Sequence, residues 1–266
     1  MTAAFNWRRP TAALLGVENY AALHAIRQAR LNRLTEQADD ARRAALYRRW
    51  VGPGDLVLDI GANLGNRTRV FAGLGARVVA VEPQAHCRAA LRWQFLFQRR
   101  VRIVPAAAGR DNTPQRIVQF ETDVLSSMNP DWIAAARQSG RFGELCPVRE
   151  VTVPCVTLDQ LIAEHGRPAF TKIDVEGYEA EVLAGLAQPA GTLSYEVTPE
   201  LPAAAAVCLQ RLAALGYRRF QLSAGESMEL GDAWLDAGAL QRRLDQLAEG
   251  ANDFADVYAL DPRLAG

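Results

Sequence analysis

An α/β fold built on a doubly wound, mostly parallel seven-stranded sheet is predicted by three features of this sequence. Short apolar runs alternate with amphipathic stretches, the first run (LVLDI at 56–60) feeds a glycine-rich turn, and the alternation pauses once, over 111–157. Apolar runs without polar alternation suit strands covered on both faces, and strands alternating with helices make βαβ units.

Residues 18–50 read as helix. Leu23, Ile26, Leu31 and Leu34 recur at near-helical spacing among Arg, Glu and Gln, with a break near Asp39-Asp40 and a stop at Gly52-Pro53-Gly54. Residues 1–50 are therefore expected to form a helical extension, and 51–266 a single domain. Within that domain the spacing predicts a strand at 56–60, a helix over 66–74 and a strand at 77–81. A helix opened by Pro83 runs to about residue 98, and a strand follows at 101–104. The insert over 111–157 holds β-rich pieces at 117–120 and 151–156. Between them, the irregular stretch 121–150 suits a lid or an acceptor-binding loop. Thr157 and Gln160 form a capping box. The rhythm then resumes with strand 170–174, a turn at Gly177, helix 179–186, strand 192–197, helix 202–215, strand 217–222, helix 238–249 and strand 256–260.

Composition narrows the function. Thirty Lys plus Arg balance 30 Asp plus Glu, which disfavours a polyanionic partner; Arg99, Arg100 and Arg102 read as a solvated face. Cys87, Cys146, Cys155 and Cys208 show no metal-ligand spacing and are expected as thiols in a cytoplasmic protein. Arg8-Arg9-Pro10 imitates a twin-arginine signal, but the apolar stretch after it is minimal. No apolar run is long enough to span a bilayer. His24, His86 and His165 share no pattern. Among 30 basic residues only Lys172 is a lysine, which points to a place that requires a compact ammonium.

The turn Asp59-Ile60-Gly61-Ala62-Asn63-Leu64-Gly65 stands where the first strand meets the first helix, beyond the carboxyl ends of the strands, where open α/β sheets bind ligands. Its glycines permit a tight turn, and the helix start offers N–H groups to a carboxylate or a pyrophosphate. A dinucleotide fingerprint carries glycine where this chain has Asn63, so an amino-acid-like head group fits better than a pyrophosphate. Glu82, followed by Pro83, ends the second strand, where a carboxylate can accept both ribose hydroxyls.

These residues resemble a known family. VLDIGANLGNRT (57–68), VVAVEP (78–83), TLDQL (157–161) and KIDVEGYEAEVLAG (172–185) are similar to the FkbM-type methyltransferases over about residues 50–200. The resemblance implies the Rossmann-like class I methyltransferase fold, S-adenosylmethionine as donor, and a hydroxyl acceptor on a small molecule, a sugar or a polyketide-like natural product. It places Asp59, Gly61, Ala62, Asn63 and Gly65 at the methionine-binding turn, and Glu82 and Pro83 at the ribose. It also places Ala107, within 105–108, beside the adenine. Ser126-Ser127 resembles a serine motif of the family. The stretches 1–50 and 223–252 have no such counterpart.

Lys172, Asp174 and Glu176 are the candidate catalytic residues. Lys172 and Asp174 share a face of the fourth strand, and either carboxylate could take the acceptor's proton while Lys172 orients it. Glu196, at the end of the next strand, could join Asp174 around a divalent ion, but the Asp-Asn pair of metal-using O-methyltransferases is absent, and no metal is expected. Asn129-Pro130-Asp131-Trp132 superficially resembles an amino-group methyltransferase motif in the wrong place. Methylation of nucleic acid or nitrogen, a nicotinamide-dependent oxidoreductase, and a non-catalytic scaffold are the competing readings. The expected partner is a small-molecule or glycan acceptor, with neither nucleic acid nor membrane.

Overall fold

The computed structural model describes residues 17–120, 126–139, 147–250 and 254–264. The Arg8-Arg9-Pro10 stretch and Cys146 lie outside them. Helices α1 (Val17–Thr35) and α2 (Gln37–Tyr47) precede strand β1 (Leu56–Ile60). The alternation continues through α3 (Asn66–Gly73), β2 (Arg77–Val81), α4 (Ala85–Gln94) and β3 (Val101–Val104). The insert contributes β4 (Ala107–Ala108), β5 (Gln115–Phe120), β6 (Ser126–Ser127), α5 (Pro130–Ser139), β7 (Pro147–Val153) and β8 (Cys155–Val156). Then come α6 (Leu158–His165), β9 (Phe170–Ile173), α7 (Glu179–Ala184), β10 (Thr192–Val197), α8 (Pro202–Ala214), β11 (Phe220–Ala224), α9 (Ala237–Gly250) and β12 (Ala255–Ala259).

Seven strands form the main sheet in the order β11-β12-β10-β9-β1-β2-β3, parallel except for β12, which runs antiparallel to both its neighbours. The chain winds outward from β1 to β3 and then crosses back to β9 on the other side of β1. The β1/β9 boundary is thus the switch point, and the loops after these two strands open a crevice there.

The two faces differ in chemistry. On one, Leu58, Ile60, Ile173, Leu193 and Tyr195 pack under α6 to α9 in the larger core. On the other, Val57, Val78, Phe170 and Tyr258 meet Tyr47 of α2 and Phe71 of α3, with the Tyr47 and Phe71 rings 4.6 Å apart. Strand alternation puts Asp59, Lys172, Ser194, Glu196 and Asp256 on this second face as well. Charged groups therefore cluster where the sheet meets α2 and α3, and the opposite face stays apolar. α1 lies along α4, with Ala25, Ile26 and Ala29 against Leu64, Cys87 and Ala90.

Several boundaries depart from the sequence reading. The N-terminal helix breaks at Glu36, and Asp39 and Asp40 occupy the first turn of α2, where the exposed amides favour acids. Pro83 does not open a helix: α4 starts at Ala85 behind an extended Gln84 and ends at Gln94. Strand β9 stops at Ile173, leaving Asp174 as the first loop residue. Tyr217 precedes strand β11, and its buried hydroxyl bonds Ala190 N and Gly191 O instead. The stretch read as irregular contains α5. Asn129 accepts from Asp131 N at 3.0 Å and Pro130 takes the first helical position, so Asn-Pro-Asp-Trp here is a helix start. The capping box at Thr157 and Gln160 forms as expected.

Candidate active site

The turn after β1 is held by two backbone conformations that few residues tolerate. Gly61 has φ +79°, and a Cβ there would come within 1.8 Å of the Asp174 carbonyl oxygen, so the two loops can touch only at glycine. Asn63 has φ +48°, a left-handed state that asparagine accepts more readily than most residues. Its N–H donates to Glu82 Oε2 at 2.8 Å, while Gln84 N–H donates to Oε1 at 2.7 Å. Glu82 is thereby fixed, buried, at the carboxyl end of β2. Burial raises its carboxyl to about 7 against the pull of those two amides.

Beside it a cleft opens to solvent. Of the residues singled out by sequence, Gly61, Asn63, Glu82, Pro83, Ala107, Asp174 and Glu176 line it, joined by Ile117 and Met128 of the insert. Asp59, Ala62 and Lys172 line a neighbouring cleft that shares Gly61, Asn63 and Asp174 with the first. Gly65 lines neither. Its close neighbour is Leu91 of α4, and a Cβ there would come within 2.7 Å of that side chain, so glycine is required for helix packing.

Lys172 is 2% exposed, and its Nζ lies 2.5 Å from Asp174 Oδ2. Burial pushes the Asp174 carboxyl up, but the adjoining Lys172 ammonium outweighs it and holds Asp174 below the usual range. Glu176 and Glu196 go the other way: burial and the Asp174 carboxylate push both well above it. Oxygens of Asp174, Glu176 and Glu196 come within 4.8 Å of one another, close enough for a shared proton or cation. Asp59 is committed elsewhere, accepting from Thr68 Oγ1 at 2.5 Å.

The loop between β9 and α7 is braced by residues whose bracing role sequence reasoning missed. Glu176 has φ +54°, a costly state for a long side chain. Ser127 Oγ donates to Glu176 O at 2.7 Å, and Asn129 Nδ2 to Gly177 O at 2.6 Å. From inside, Glu179 accepts from Val175 N at 3.0 Å and Gly177 N at 3.3 Å. The second glutamate of VEGYE, placed to cap amides just before its own helix, was the available signal. Gly177 also lies flat against the Trp132 ring, where a Cβ would come within 2.5 Å. Gly177→Ala is expected to lower folding stability by about 1–2 kcal/mol from the left-handed backbone alone, read as a shifted urea midpoint; an unchanged midpoint refutes the packing described.

The Methyltransferase FkbM domain model matches residues 59–218, more than half of the chain. The chain belongs to the FkbM methyltransferase domain family. Among curated relatives, 31-O-demethyl-FK506 methyltransferase FkbM of Streptomyces tacrolimicus is 35% identical over 159 residues, covering 50% of this chain and 60% of that protein. Among solved structures, precorrin-6y C5,15-methyltransferase of Geobacter metallireducens superposes with a TM-score of 0.43 at 13% identity, covering 85% of this chain and 89% of that one. A SAM-dependent O-methyltransferase of Thermotoga maritima gives 0.40 at 13% identity, covering 85% and 65%.

The FkbM-family match includes the turn, Glu82, the insert and the β9 loop, while α1, α2 and β12 fall outside it. S-adenosylmethionine, the donor expected in this family, needs an acceptor for two ribose hydroxyls, an apolar slot for adenine and close backbone beside its methionine. Glu82, the Ala106–Ala108 wall with Ile117, and the turn at Gly61 and Asn63 meet those needs. Among the described residues no disulfide joins Cys87, Cys155 and Cys208, and no helix is long and apolar enough to cross a membrane.

Proposed function

We propose that this protein transfers a methyl group from S-adenosylmethionine to a hydroxyl of a small molecule, a sugar or a polyketide-like natural product. The observation that carries the reading is one cleft lined by both the ribose-type acid Glu82 and the carboxylate Glu176. The donor supplies an electrophilic methyl carbon on a sulfonium. The chain's residues have three tasks: seat the nucleoside, hold the acceptor oxygen in line with that carbon, and take its proton. In the transfer an acceptor O–C bond forms, the S–C bond breaks with its electron pair going to sulfur, and the hydroxyl proton passes to a carboxylate.

Glu176 is the better proton acceptor. Burial and the Asp174 carboxylate raise its affinity for a proton, and Glu196 lies close enough to share the charge. Asp174, kept ionised by Lys172, is a weaker base and a better electrostatic anchor. With the Lys172 ammonium already at Asp174, a resident metal is not required by this arrangement.

The test is transfer of label from methyl-labelled S-adenosylmethionine to a panel of hydroxylated natural products and glycosides, before and after dialysis against a chelator. Label in an ether product, undiminished by the chelator, is expected. Binding of NAD in place of S-adenosylmethionine by calorimetry refutes the donor. Activity abolished by the chelator and restored by magnesium or manganese refutes the metal-free reading.

A further inference from the structure

The turn between α4 and β3 carries an apolar tip. Three of the eight large hydrophobic side chains exposed among the described residues fall within 93–97: Trp93 at 45%, Leu96 at 69% and Phe97 at 92%. Single exposed hydrophobics are ordinary, but three on one turn mark a contact surface. The turn is also firmly built. Phe95 is buried with Leu91 and Ala62, and the amides of Phe95, Gln98 and Val101 donate to the carbonyls of Leu91, Phe95 and Gln98 at 3.0, 2.9 and 3.1 Å. With Phe95 held inward, Leu96 and Phe97 are left in solvent.

Positive charge accompanies the tip. Between Glu82 and Asp111 the chain has six arginines and no acidic residue, although its net charge is zero. Arg92, Arg99 and Arg100 are exposed on the same turn, and Arg77 is exposed at the start of the neighbouring strand β2. Arg102 is taken up by Glu164 at 2.9 Å, but Arg92, Arg99 and Arg100 form no ion pair among the described residues. The sequence reading took Arg99 and Arg100 as a solvated face and expected no membrane partner; the structure sets them beside exposed apolar side chains.

Shape and charge together select the occupant. A second copy would bring the same arginines against one another across a twofold contact. A protein partner would need a pocket matched to a projecting phenylalanine. Single-stranded nucleic acid needs a groove and stacking faces, and leucine offers no such face. A fluid lipid surface closes around a projecting tip, and its headgroups supply the anions.

We propose that the α4–β3 turn docks this protein on an anionic lipid surface. Leu96 and Phe97 enter the acyl boundary, Trp93 lies at headgroup level, and Arg92, Arg99 and Arg100 meet the lipid phosphates. Because β3 is parallel to β1 and β2, the turn stands at the amino-terminal edge of the sheet, opposite the clefts at the carboxyl ends. Docking there leaves the clefts open to water.

The test is co-sedimentation with vesicles of phosphatidylcholine alone and of phosphatidylcholine mixed with phosphatidylglycerol. Wild type is expected to bind the mixed vesicles at least about tenfold more tightly, since each cation near an anionic surface contributes about fivefold. Leu96→Ser with Phe97→Ser should weaken that binding by at least about tenfold. Arg92→Gln, Arg99→Gln and Arg100→Gln together should remove most of the preference for the anionic lipid. Phe97→Ser alone, at so exposed a side chain, gives a smaller loss even if the double variant folds poorly. Wild type that binds neither vesicle, or both equally, overturns the proposal, as does a serine variant that folds and binds like wild type. Tighter binding to an oligonucleotide than to the mixed vesicles, or a dimer in solution that the serine variant dissociates, assigns the tip to another partner and overturns it too.

Discussion

Replacing Glu82 by alanine is expected to weaken S-adenosylmethionine binding by about 1.5–3 kcal/mol, the usual loss when charge-assisted hydrogen bonds disappear. The geometry gives the reason for so large an effect. Both carboxylate oxygens are already anchored by the amides of Asn63 and Gln84, so the group is aimed before any ligand arrives and loses little freedom on binding. The same bonds link the turn after β1 to the end of β2, so the control is that Glu82→Ala melts near the wild-type temperature. Calorimetry in a folded variant with undiminished affinity refutes the ribose assignment.

Acidity adds a second signature. The folded carboxyl of Glu82 lies near 7, above its unfolded value, because burial disfavours the charge. Between the unfolded and folded values the folded state holds the extra proton, so this group's contribution to folding stability is greatest at low pH and is lost as pH rises through about 7. Ligand affinity runs the other way, because two ribose hydroxyls require the ionised carboxylate. Affinity should fall by up to about tenfold from pH 8 to pH 6 in wild type, and stay nearly flat in Glu82→Gln. Parallel pH profiles in the two proteins refute the assignment.

Much of this site was legible because its chemistry is written in contiguous stretches. The turn at 59–65, Glu82 and the Lys172–Tyr178 loop each announce themselves by residue type at a strand end, and the sheet then gathers them at one switch point. The bracing contacts that escaped notice act across distance. Ser127, Asn129 and Trp132 brace Glu176 and Gly177 from some 50 residues away in sequence. Nothing local distinguishes a serine that bonds a remote carbonyl from one that faces water. Arg67, Arg43 and Glu226 pose the same problem, since they meet only through tertiary packing. The missed helix α5 is different: Asn129 before Pro130 was a readable start signal, passed over because the four residues were weighed only as a misplaced methyltransferase motif.

Lys172→Arg is expected to fold, to bind S-adenosylhomocysteine within a few-fold of wild type, and yet to lose at least about a hundredfold in turnover, the low end of general-base effects. The argument begins with the sheet. Lys172 pairs in register with Asp59 on one side and Ser194 on the other, and is 2% exposed on the face that also carries Asp256. Burial alone lowers a lysine's proton affinity, but Asp174 outweighs it, so the ammonium stays charged. Its buried Nζ holds Asp174 at 2.5 Å as a compact point charge, a geometry that a longer, planar guanidinium does not reproduce. Arginine would therefore have to push Asp174 outward, toward the mouth shared by the two clefts. Asp174 is the hinge of the arrangement, since its carbonyl lies against Gly61 and its carboxylate beside Glu176 and Glu196. A shift there moves the proton acceptor relative to the acceptor oxygen while leaving Glu82 and the nucleoside in place, so kcat falls and donor affinity does not. Turnover is to be measured with the hydroxylated compound that accepts label in the transfer assay. Near-normal kcat in a folded Lys172→Arg protein would reduce the single lysine of this chain to an accident of composition.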